Sequence, residues 1–201
     1  HYPLRRQRQM CIRDSNTATT NSIKKIREII SIPIIGIEPA IKPAINYTKT
    51  KNIGILATEN TLTSKLFFKT LSENKIDNIN IHEKIGYQLV NMIEEGLHSK
   101  SKILKILKSY LNPMINENID CLLLGCTHYN HVIEMIKELL PNDIKILDTI
   151  DAVNRQVLNQ LKSHDILNIS TKNRYIKVFY NGSKLSKNFL KESYDLNYLK
   201  F

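Results

Sequence analysis

The chain has 201 residues, of which 42% are hydrophobic and 24% are charged, so it has enough apolar material for the core of one domain or of two small ones. No apolar run approaches the roughly 18 residues that cross a bilayer, and no signal peptide is visible. The three cysteines, an odd number, do not form a disulfide framework. The composition excludes membrane-spanning and disulfide-rich secreted classes and favours a soluble, cytoplasmic protein with no membrane partner.

The net charge of +10 and the pI near 9.4 raise nucleic acid as a partner. Part of the excess lies in the first fifteen residues, where four arginines stand against one aspartate. The rest is lysine scattered among asparagine and isoleucine, with no cluster of aromatic and basic residues of the RNA-binding kind. We therefore predict that the protein does not bind nucleic acid.

The first fifteen residues, HYPLRRQRQMCIRDS, differ from the rest of the chain. They are rich in arginine where the remainder is rich in lysine, and they show neither helical nor strand periodicity. A non-native leader, such as a scar or an assembly artefact, accounts for this composition, and a disordered basic arm is the alternative. We expect residues 1–15 to lie outside the fold, and we assign Cys11 no role.

Strand-like and helix-like segments alternate from residue 16 onward. Apolar spacing predicts helices at 22–30, 61–71, 86–98, 100–110, 131–140, 152–161 and 185–190. Short apolar runs predict strands at 32–37, 52–58, 79–82, 120–124, 144–148 and 175–180. Pro39 and Pro43 predict a loop after the first of these strands. This alternation indicates an α/β fold with parallel sheets flanked by helices.

Residues 121–129 carry the strongest chemical signal in the chain. An apolar run of strand length ends at Gly125 and is followed at once by the thiol of Cys126, the hydroxyl of Thr127 and the imidazole of His128. Ligands of open α/β sheets bind at the carboxyl ends of the strands. A thiol two residues from an imidazole is well placed to be held as the reactive thiolate. The alternative is a buried structural cysteine followed by a histidine that starts a helix.

A second turn of the same kind follows the predicted strand at 52–58. Thr58 and Thr61 offer hydroxyls and backbone N–H groups at the start of a helix, where a carboxylate binds without needing a lysine. The alternative is that both threonines are simple helix N-caps. The spacing alone leaves both interpretations open.

Several segments together resemble the glutamate racemases of the aspartate/glutamate racemase family. Residues 36–44, GIEPAIKPA, are similar to a G-[IV]-E-P-A-[IV]-K-P-A segment that is highly specific for them. The further matches are 16–18 with the end of Cys-Asn-Thr-Ala, 55–58 and Thr61 with L-A-T-x-x-T, 93–96 with (I/V)-E-x-G, and 125–129 with G-C-T-H-Y. The histidine in the last motif favours glutamate over the aspartate racemases, which tend to carry Glu there. The resemblance covers about residues 16–190 in the right order.

The resemblance implies a two-base racemase that interconverts L- and D-glutamate, needs neither cofactor nor metal, and supplies D-glutamate for peptidoglycan. One base takes the Cα proton from one face while the other group returns a proton on the opposite face. The resemblance assigns Cys126 to the L-glutamate face, with His128 assisting it and Glu94 supporting the catalytic groups. It implies a homodimer for the full-length enzyme. It also implies that five residues hold the substrate's amino and carboxylate groups: Asn16, Thr17, Thr58, Thr61 and Thr127.

The sequence departs from the family's pattern in five places. The first strand with Asp-Ser-Gly and the later Pro-Tyr-Gly segment are absent. Ser15 stands where the first catalytic cysteine belongs, and we interpret it as the end of the foreign leader. On this interpretation roughly the first quarter of the enzyme is missing. We therefore expect this fragment to be inactive. Asn130 replaces a proline, and Gly86-Tyr87 replaces a Cys-Pro pair. Neither of these last two changes touches a proton-transfer group.

The resemblance also predicts the domain organisation. We expect two pseudo-symmetric α/β lobes with the active site in the cleft between them. Residues 46–147 would form one complete lobe, and residues 16–45 with 148–201 an incomplete one. Two alternative functions stay open: another amino-acid racemase of the same group, because substrate choice rests mainly on His128, and a catalytically dead, binding-only relative, which the missing cysteine permits.

Overall fold

A computed structural model describes residues 11–13, 16–37, 40–73, 78–96, 99–167, 177–180 and 195–198. The strands in chain order are β1 (Cys11–Arg13), β2 (Ile34–Gly36), β3 (Asn52–Ala57), β4 (Asn80–Ile85), β5 (Cys121–Gly125), β6 (Lys145–Leu147), β7 (Lys177–Tyr180) and β8 (Asp195–Tyr198). The helices are α1 (Asn16–Ile29), α2 (Ile41–Tyr47), α3 (Glu59–Leu62), α4 (Lys65–Glu73), α5 (Leu89–Glu94), α6 (Lys100–Asn116), α7 (Ile133–Leu139) and α8 (Ile150–Ser163). A 3₁₀ helix, Thr127–Val132, precedes α7.

The main sheet is parallel and has the spatial order β4-β3-β5-β6. Parallel neighbours need crossover connections, which the intervening helices supply. Two further parallel pairs, β1 with β2 and β7 with β8, lie outside this sheet. The predicted α/β class with parallel sheets flanked by helices is therefore confirmed. The division of the chain into two lobes stays a prediction.

The two central strands are buried on both faces, as parallel strands covered by helices must be. On β5, Leu122 and Leu124 face a core shared with α5, α6 and α7, whereas Cys121 and Leu123 face the opposite core with α2, α3 and α4. This alternation follows from the two-residue period of a strand. The rigid double core fixes where the carboxyl end of β5 lies, and that end carries the candidate site.

At every predicted strand position the structure has a strand, with ends that differ by up to three residues. The predicted helices differ more. The first begins six residues early at Asn16. The loop predicted at Pro43 is wrong, because Pro43 lies in the first turn of α2, where no backbone N–H is needed. The helix predicted at 61–71 is two helices, because Ser64 Oγ accepts the N–H of Phe67 at 3.2 Å and starts α4 anew.

Three later helices also depart from prediction. The one predicted at 86–98 shortens to α5, because Gln88 and Gly96 adopt positive φ at its two ends. The helix predicted at 100–110 continues through Pro113 to Asn116, because Leu111 and Met114 are buried on either side of the proline. The one predicted at 131–140 begins as the 3₁₀ helix. The helix at 152–161 is confirmed as α8.

The ends of the chain bring one correction. Cys11–Arg13 form β1, which pairs in parallel with β2, so the expectation that the first fifteen residues lack strand structure is wrong for these three. The non-native origin of the leader stays a prediction. β8 has no counterpart among the predicted strands. The helix predicted at 185–190 lies outside the described residues. Across the described ranges, no helix has the length and apolar character needed to cross a membrane.

Asp120 joins the start of β5 to the segment that leads into β3. Its Oδ2 accepts the backbone N–H of Lys49 and, at 2.9 Å, that of Thr50. Burial alone would raise the pKa of Asp120, but these backbone hydrogen bonds outweigh it and hold the pKa below its usual value. The ionised carboxylate is therefore part of the folded structure.

Asp120→Ala should lower the free energy of unfolding at neutral pH by about 1–2 kcal/mol, because two charge-assisted hydrogen bonds are lost. Since the folded-state pKa is depressed, the contribution is complete above the ordinary value of 3.8 and disappears as the pH falls through the folded-state value. Urea unfolding at neutral and acid pH measures this. Asp143→Ala, at an exposed turn, is the control. An equal loss of unfolding free energy at neutral and acid pH would show that the loss does not come from the ionised Asp120 carboxylate.

Candidate active site

The carboxyl ends of three neighbouring strands lie level at one edge of the main sheet. Ala57 of β3 pairs in register with Ile85 of β4 and with Gly125 of β5. The residues that follow, Thr58, Gly86 and Cys126, therefore emerge at the same edge. This is the edge at which ligands of parallel α/β sheets bind.

Close approach between β3 and β5 explains the glycine before Cys126. A Cβ on Gly125 would lie 2.6 Å from the Cβ of Ala57, closer than side chains tolerate. Cys126 is still extended, and the chain then turns into the 3₁₀ helix, whose first turn is closed by the N–H of Tyr129 donating to the Cys126 carbonyl at 3.1 Å. The ring of Tyr129 is fully buried and anchors this turn in the core.

Three side chains meet in a line at this edge. Sγ of Cys126 lies 3.8 Å from Nδ1 of His128, and Nε2 of His128 lies 3.0 Å from Oε1 of Glu94. A carboxylate only accepts hydrogen bonds, so Nε2 is the donor to Glu94, and in the neutral ring with that tautomer Nδ1 can accept from the thiol. The predicted association of Cys126, His128 and Glu94 is therefore present in the structure as a thiol–imidazole–carboxylate relay.

The surroundings of Cys126 act on its pKa in both directions. Burial, which leaves the residue 8% exposed, is the largest effect and raises the pKa of the thiol. Hydrogen bonds from the backbone N–H groups of His128 and Tyr129 act against it, and the charge of Glu94 adds to the rise. The net result is a pKa above the ordinary value, so the resting thiol keeps its proton and needs an acceptor such as Nδ1 of His128 to become a base.

Helix α5 brings Glu94 to the relay. Leu89 and Ile93 are buried on one face of this short helix, and α5 packs against the 3₁₀ helix and α6. The helix ends directly after Glu94, and Gly96, with a φ of 99°, turns the chain away. The side chains of His128 and Glu94 keep 30% and 58% of their surface exposed, so solvent reaches the outer end of the relay.

Thr58, which follows β3, and Thr61, which lies in α3, form a hydroxyl pair beside the Cys126 turn. Their hydroxyl oxygens lie 2.9 Å apart, and Thr61 is fully buried. Thr58 occupies the N-cap position of α3, but its side chain makes no capping hydrogen bond. The N-cap alternative is therefore right about the position of Thr58 and wrong about its side chain, and it is wrong for Thr61, which lies inside α3.

The remaining candidates differ in what the structure shows of them. Thr127 is half-buried beside Cys126, and its carbonyl accepts from Nδ2 of Asn130 at 3.2 Å. Asn16 and Thr17 begin α1, which packs against α3 and α4 next to the Thr58 turn. The side chains of Asn16 and Thr17 lie outside the described parts of the structure. Substrate-binding roles for these residues and for Thr58 and Thr61 stay predictions.

Cys121, the cysteine that begins β5, differs chemically from Cys126. Cys121 is fully buried at the start of the strand, at the opposite edge of the sheet. Burial, together with the adjacent Asp120 carboxylate, raises the pKa of Cys121 to about 12. Its thiol is therefore a packing group. Among the residues with described positions, no group of three or more His, Cys, Asp or Glu side chains is arranged to hold a metal ion.

Comparison with known sequences decides the family. A family model described as Asp/Glu/Hydantoin racemase matches residues 10–157. The chain belongs to this racemase family. The glutamate racemase of Ralstonia pickettii (strain 12J) is 39% identical over 142 residues, which make up 71% of this chain and 50% of that relative. The chain thus spans about half the length of the first curated relatives it matches.

Solved glutamate racemases share the fold of this racemase chain. Isoform RacE1 from Bacillus anthracis superposes with a TM-score of 0.80 at 27% identity, over 95% of this chain and 73% of that one. The Escherichia coli enzyme, in complex with L-glutamate and the activator UDP-MurNAc-ala, also has a TM-score of 0.80, at 24% identity over 95% and 74% of the two chains. The resemblance stated from the sequence motifs is confirmed.

Sequence reasoning missed two residues of the site. Tyr129 was part of a recognised motif without a role, and the structure places its ring under the turn that carries Cys126 and His128. Gly86 stood out only as a tolerated departure from a Cys-Pro pair, yet its missing side chain makes room for the Tyr129 hydroxyl. The available signal was a glycine at the position where the family's pattern has the cysteine of a Cys-Pro pair.

Proposed function

We propose that the site of this chain belongs to an enzyme activity that interconverts L- and D-glutamate by a two-base mechanism without a cofactor. The observation that carries the proposal is the relay from Cys126 through His128 to Glu94 at the carboxyl edge of the main sheet. The curated relatives bear the name glutamate racemase, which supports the same substrate. A cytoplasmic location, a role in peptidoglycan synthesis and a homodimer belong to the same proposal.

The proposed chemistry assigns a step to each member of the relay. The Cα proton of an amino acid is very weakly acidic, so its removal requires a well-placed, desolvated base. Nδ1 of His128 accepts the Cys126 proton, and the thiolate then takes the Cα proton from one face. The second group returns a proton to the opposite face. Glu94 holds Nε2–H and stabilises the imidazolium that forms when the thiol is deprotonated.

The threonine pair and the neighbouring strand ends complete the proposed site. Thr58 and Thr127 follow the paired ends of β3 and β5 at the carboxyl edge, where hydroxyls and backbone N–H groups bind an amino acid's carboxylate. Asn16 and Thr17 begin the helix that packs against this region. We therefore assign these four residues, with Thr61, to substrate binding. No observation on the described residues favours another amino acid over glutamate.

The test is a racemisation assay on the chain extended at its N-terminus with the corresponding segment of a relative and carrying Ser15→Cys. Circular dichroism should show L-glutamate and D-glutamate each losing optical activity without pyridoxal phosphate or metal. L-Aspartate and L-alanine serve as competing substrates. Faster conversion of either would support the alternative of another racemase of the group. Binding of glutamate without conversion would support the binding-only alternative.

Glu94→Gln in the extended protein should lower kcat by about 10- to 100-fold, because the amide no longer stabilises the imidazolium. The same change removes a negative charge that raises the Cys126 pKa, so that pKa should fall. The rate of Cys126 alkylation, followed against pH by peptide mass spectrometry, measures this. Glu95→Gln, at the exposed neighbouring position, is the matched control. An unchanged kcat would remove Glu94 from the relay.

A further inference from the structure

The turn at residues 86–88 connects β4 to helix α5, which ends at Glu94. Gln88 has a φ of 62°, in the left-handed region that residues other than glycine disfavour. Gln88 also occupies the N-cap position of α5, and its side chain makes no capping hydrogen bond. The conformation of this turn is therefore not dictated by its own sequence and needs support from its surroundings.

Two tyrosine hydroxyls provide that support. The hydroxyl of Tyr110, on α6, donates to the Tyr87 carbonyl at 2.7 Å. The hydroxyl of Tyr129, in the 3₁₀ helix, donates to the Gly86 carbonyl at 3.5 Å. The N–H of Leu89 donates to the same Gly86 carbonyl at 3.4 Å. Successive carbonyls of the turn are thus held from two different elements.

Gly86 and Tyr129 fit only because Gly86 lacks a side chain. A Cβ at Gly86 would lie 2.3 Å from the Tyr129 hydroxyl oxygen and 2.9 Å from the adjoining ring carbon. Tyr129 cannot withdraw easily, because its ring is fully buried. It also follows His128 directly in the 3₁₀ helix. Displacement of the Tyr129 ring therefore acts on the backbone that carries Cys126 and His128.

We propose that Tyr110 and Tyr129 are positioning residues that hold the turn at 86–88, so that Glu94 meets Nε2 of His128 while the thiol of Cys126 faces Nδ1. The proposal rests on the proposed function for its catalytic consequence, but the geometry it describes is a property of the folded chain alone. Tyr129 acts from the element that carries the imidazole, and Tyr110 acts from the helix behind α5. Together the two tyrosines fix the distance between Glu94 on α5 and His128 on the 3₁₀ helix.

The consequence is a preference of the His128 ring for one tautomer. Glu94 selects the Nε2–H form only while α5 holds its carboxylate 3.0 Å from Nε2. When the turn loosens, this hydrogen bond lengthens and the Nδ1–H form becomes populated. The Nδ1–H form presents a donor to the Cys126 sulfur and cannot accept the thiol proton.

The experiment is ¹⁵N NMR of the imidazole nitrogens in the 201-residue chain, where long-range proton–nitrogen correlations report the tautomer of His128. Tyr110→Phe removes one hydroxyl, and Gly86→Ala displaces the Tyr129 ring. Each should reduce the preference for Nε2–H by roughly threefold to tenfold, the equivalent of one net hydrogen bond. Tyr87→Phe, whose exposed side chain lies on the same turn, is the matched control and should leave the preference unchanged.

Wild-type preference for Nε2–H in both variants would overturn the proposal. An altered tautomer in Tyr87→Phe as well would also overturn it, because the effect would then be a general one of the turn. If Gly86→Ala fails to fold, Tyr110→Phe, which removes a single oxygen, decides alone. A purely structural role would lower stability in urea without changing the tautomer. Failure of the extended protein to racemise glutamate would refute the proposed function and leave this result standing.

Discussion

Cys126→Ala is expected to abolish racemisation in both directions in the extended protein that carries Ser15→Cys. Each direction uses one group as base and the other as acid, so loss of one group stops both. The thiol contributes proton transfer that a methyl group cannot replace, and kcat should fall by roughly 10³-fold or more. Cys126 directly follows β5 and is 8% exposed, so alanine should cost some stability through a small cavity while the fold is kept.

Cys121→Ala is the matched control for this experiment. It removes the fully buried thiol at the start of β5, whose pKa is raised to about 12. The variant should lose some stability from the cavity and keep its kcat. Circular dichroism at a fixed wavelength, started from L-glutamate and separately from D-glutamate, measures both variants. If Cys126→Ala keeps the same high activity as Cys121→Ala, the reaction does not pass through the Cys126 thiol.

The second large effect concerns the chain as it stands, with Ser15. We expect no measurable racemisation of glutamate. A serine hydroxyl is a far weaker acid than a thiol and forms no useful alkoxide at neutral pH without an adjacent base. If Ser15 takes the place of the first catalytic cysteine, one face of the substrate has no proton-transfer group. Cys126 still serves the other face, so slow exchange without inversion is the expected residual activity.

The measurement uses purified chain, L-glutamate or D-glutamate, and circular dichroism over many hours. Ser15→Cys alone, without the N-terminal extension, is the informative companion variant. Activity restored by this single change would show that the thiol was the missing element and that the family's preceding segment is dispensable. Loss of optical activity by the unchanged chain at a rate near that of the extended protein would refute our interpretation of Ser15.

The positions of the two central strands were predictable because both are largely apolar runs, which end at Ala57 and at Gly125. Helix ends were less predictable, because they depend on tertiary contacts. Pro113 lies inside α6, where buried Leu111 and Met114 keep the helix intact. The break before α4 depends on the Ser64 hydroxyl capping Phe67, which competes with continuation of the helix.

For the site, the motif resemblance indicated the candidate residues, and the fold explains how Cys126, His128 and Glu94 come together. Glu94 and His128 are far apart in sequence, and only the packing of α5 on the 3₁₀ helix brings their side chains to 3.0 Å. The role of Gly86 was not predictable from spacing, because it depends on the Tyr129 ring approaching from another element. The direction of the Cys126 pKa shift likewise follows from burial, which a linear sequence does not reveal.

We propose that Cys126, served by His128 and Glu94, moves the proton on the L-glutamate face. The most direct test is deuterium incorporation at Cα, followed by NMR in heavy water, with the extended protein that retains Ser15. L-Glutamate should gain deuterium at Cα without forming D-glutamate, and D-glutamate should stay unlabelled. Labelling of D-glutamate alone would place Cys126 on the other face. No labelling of either enantiomer, in a protein that racemises once Ser15→Cys is introduced, would contradict the claim that Cys126 is a competent base.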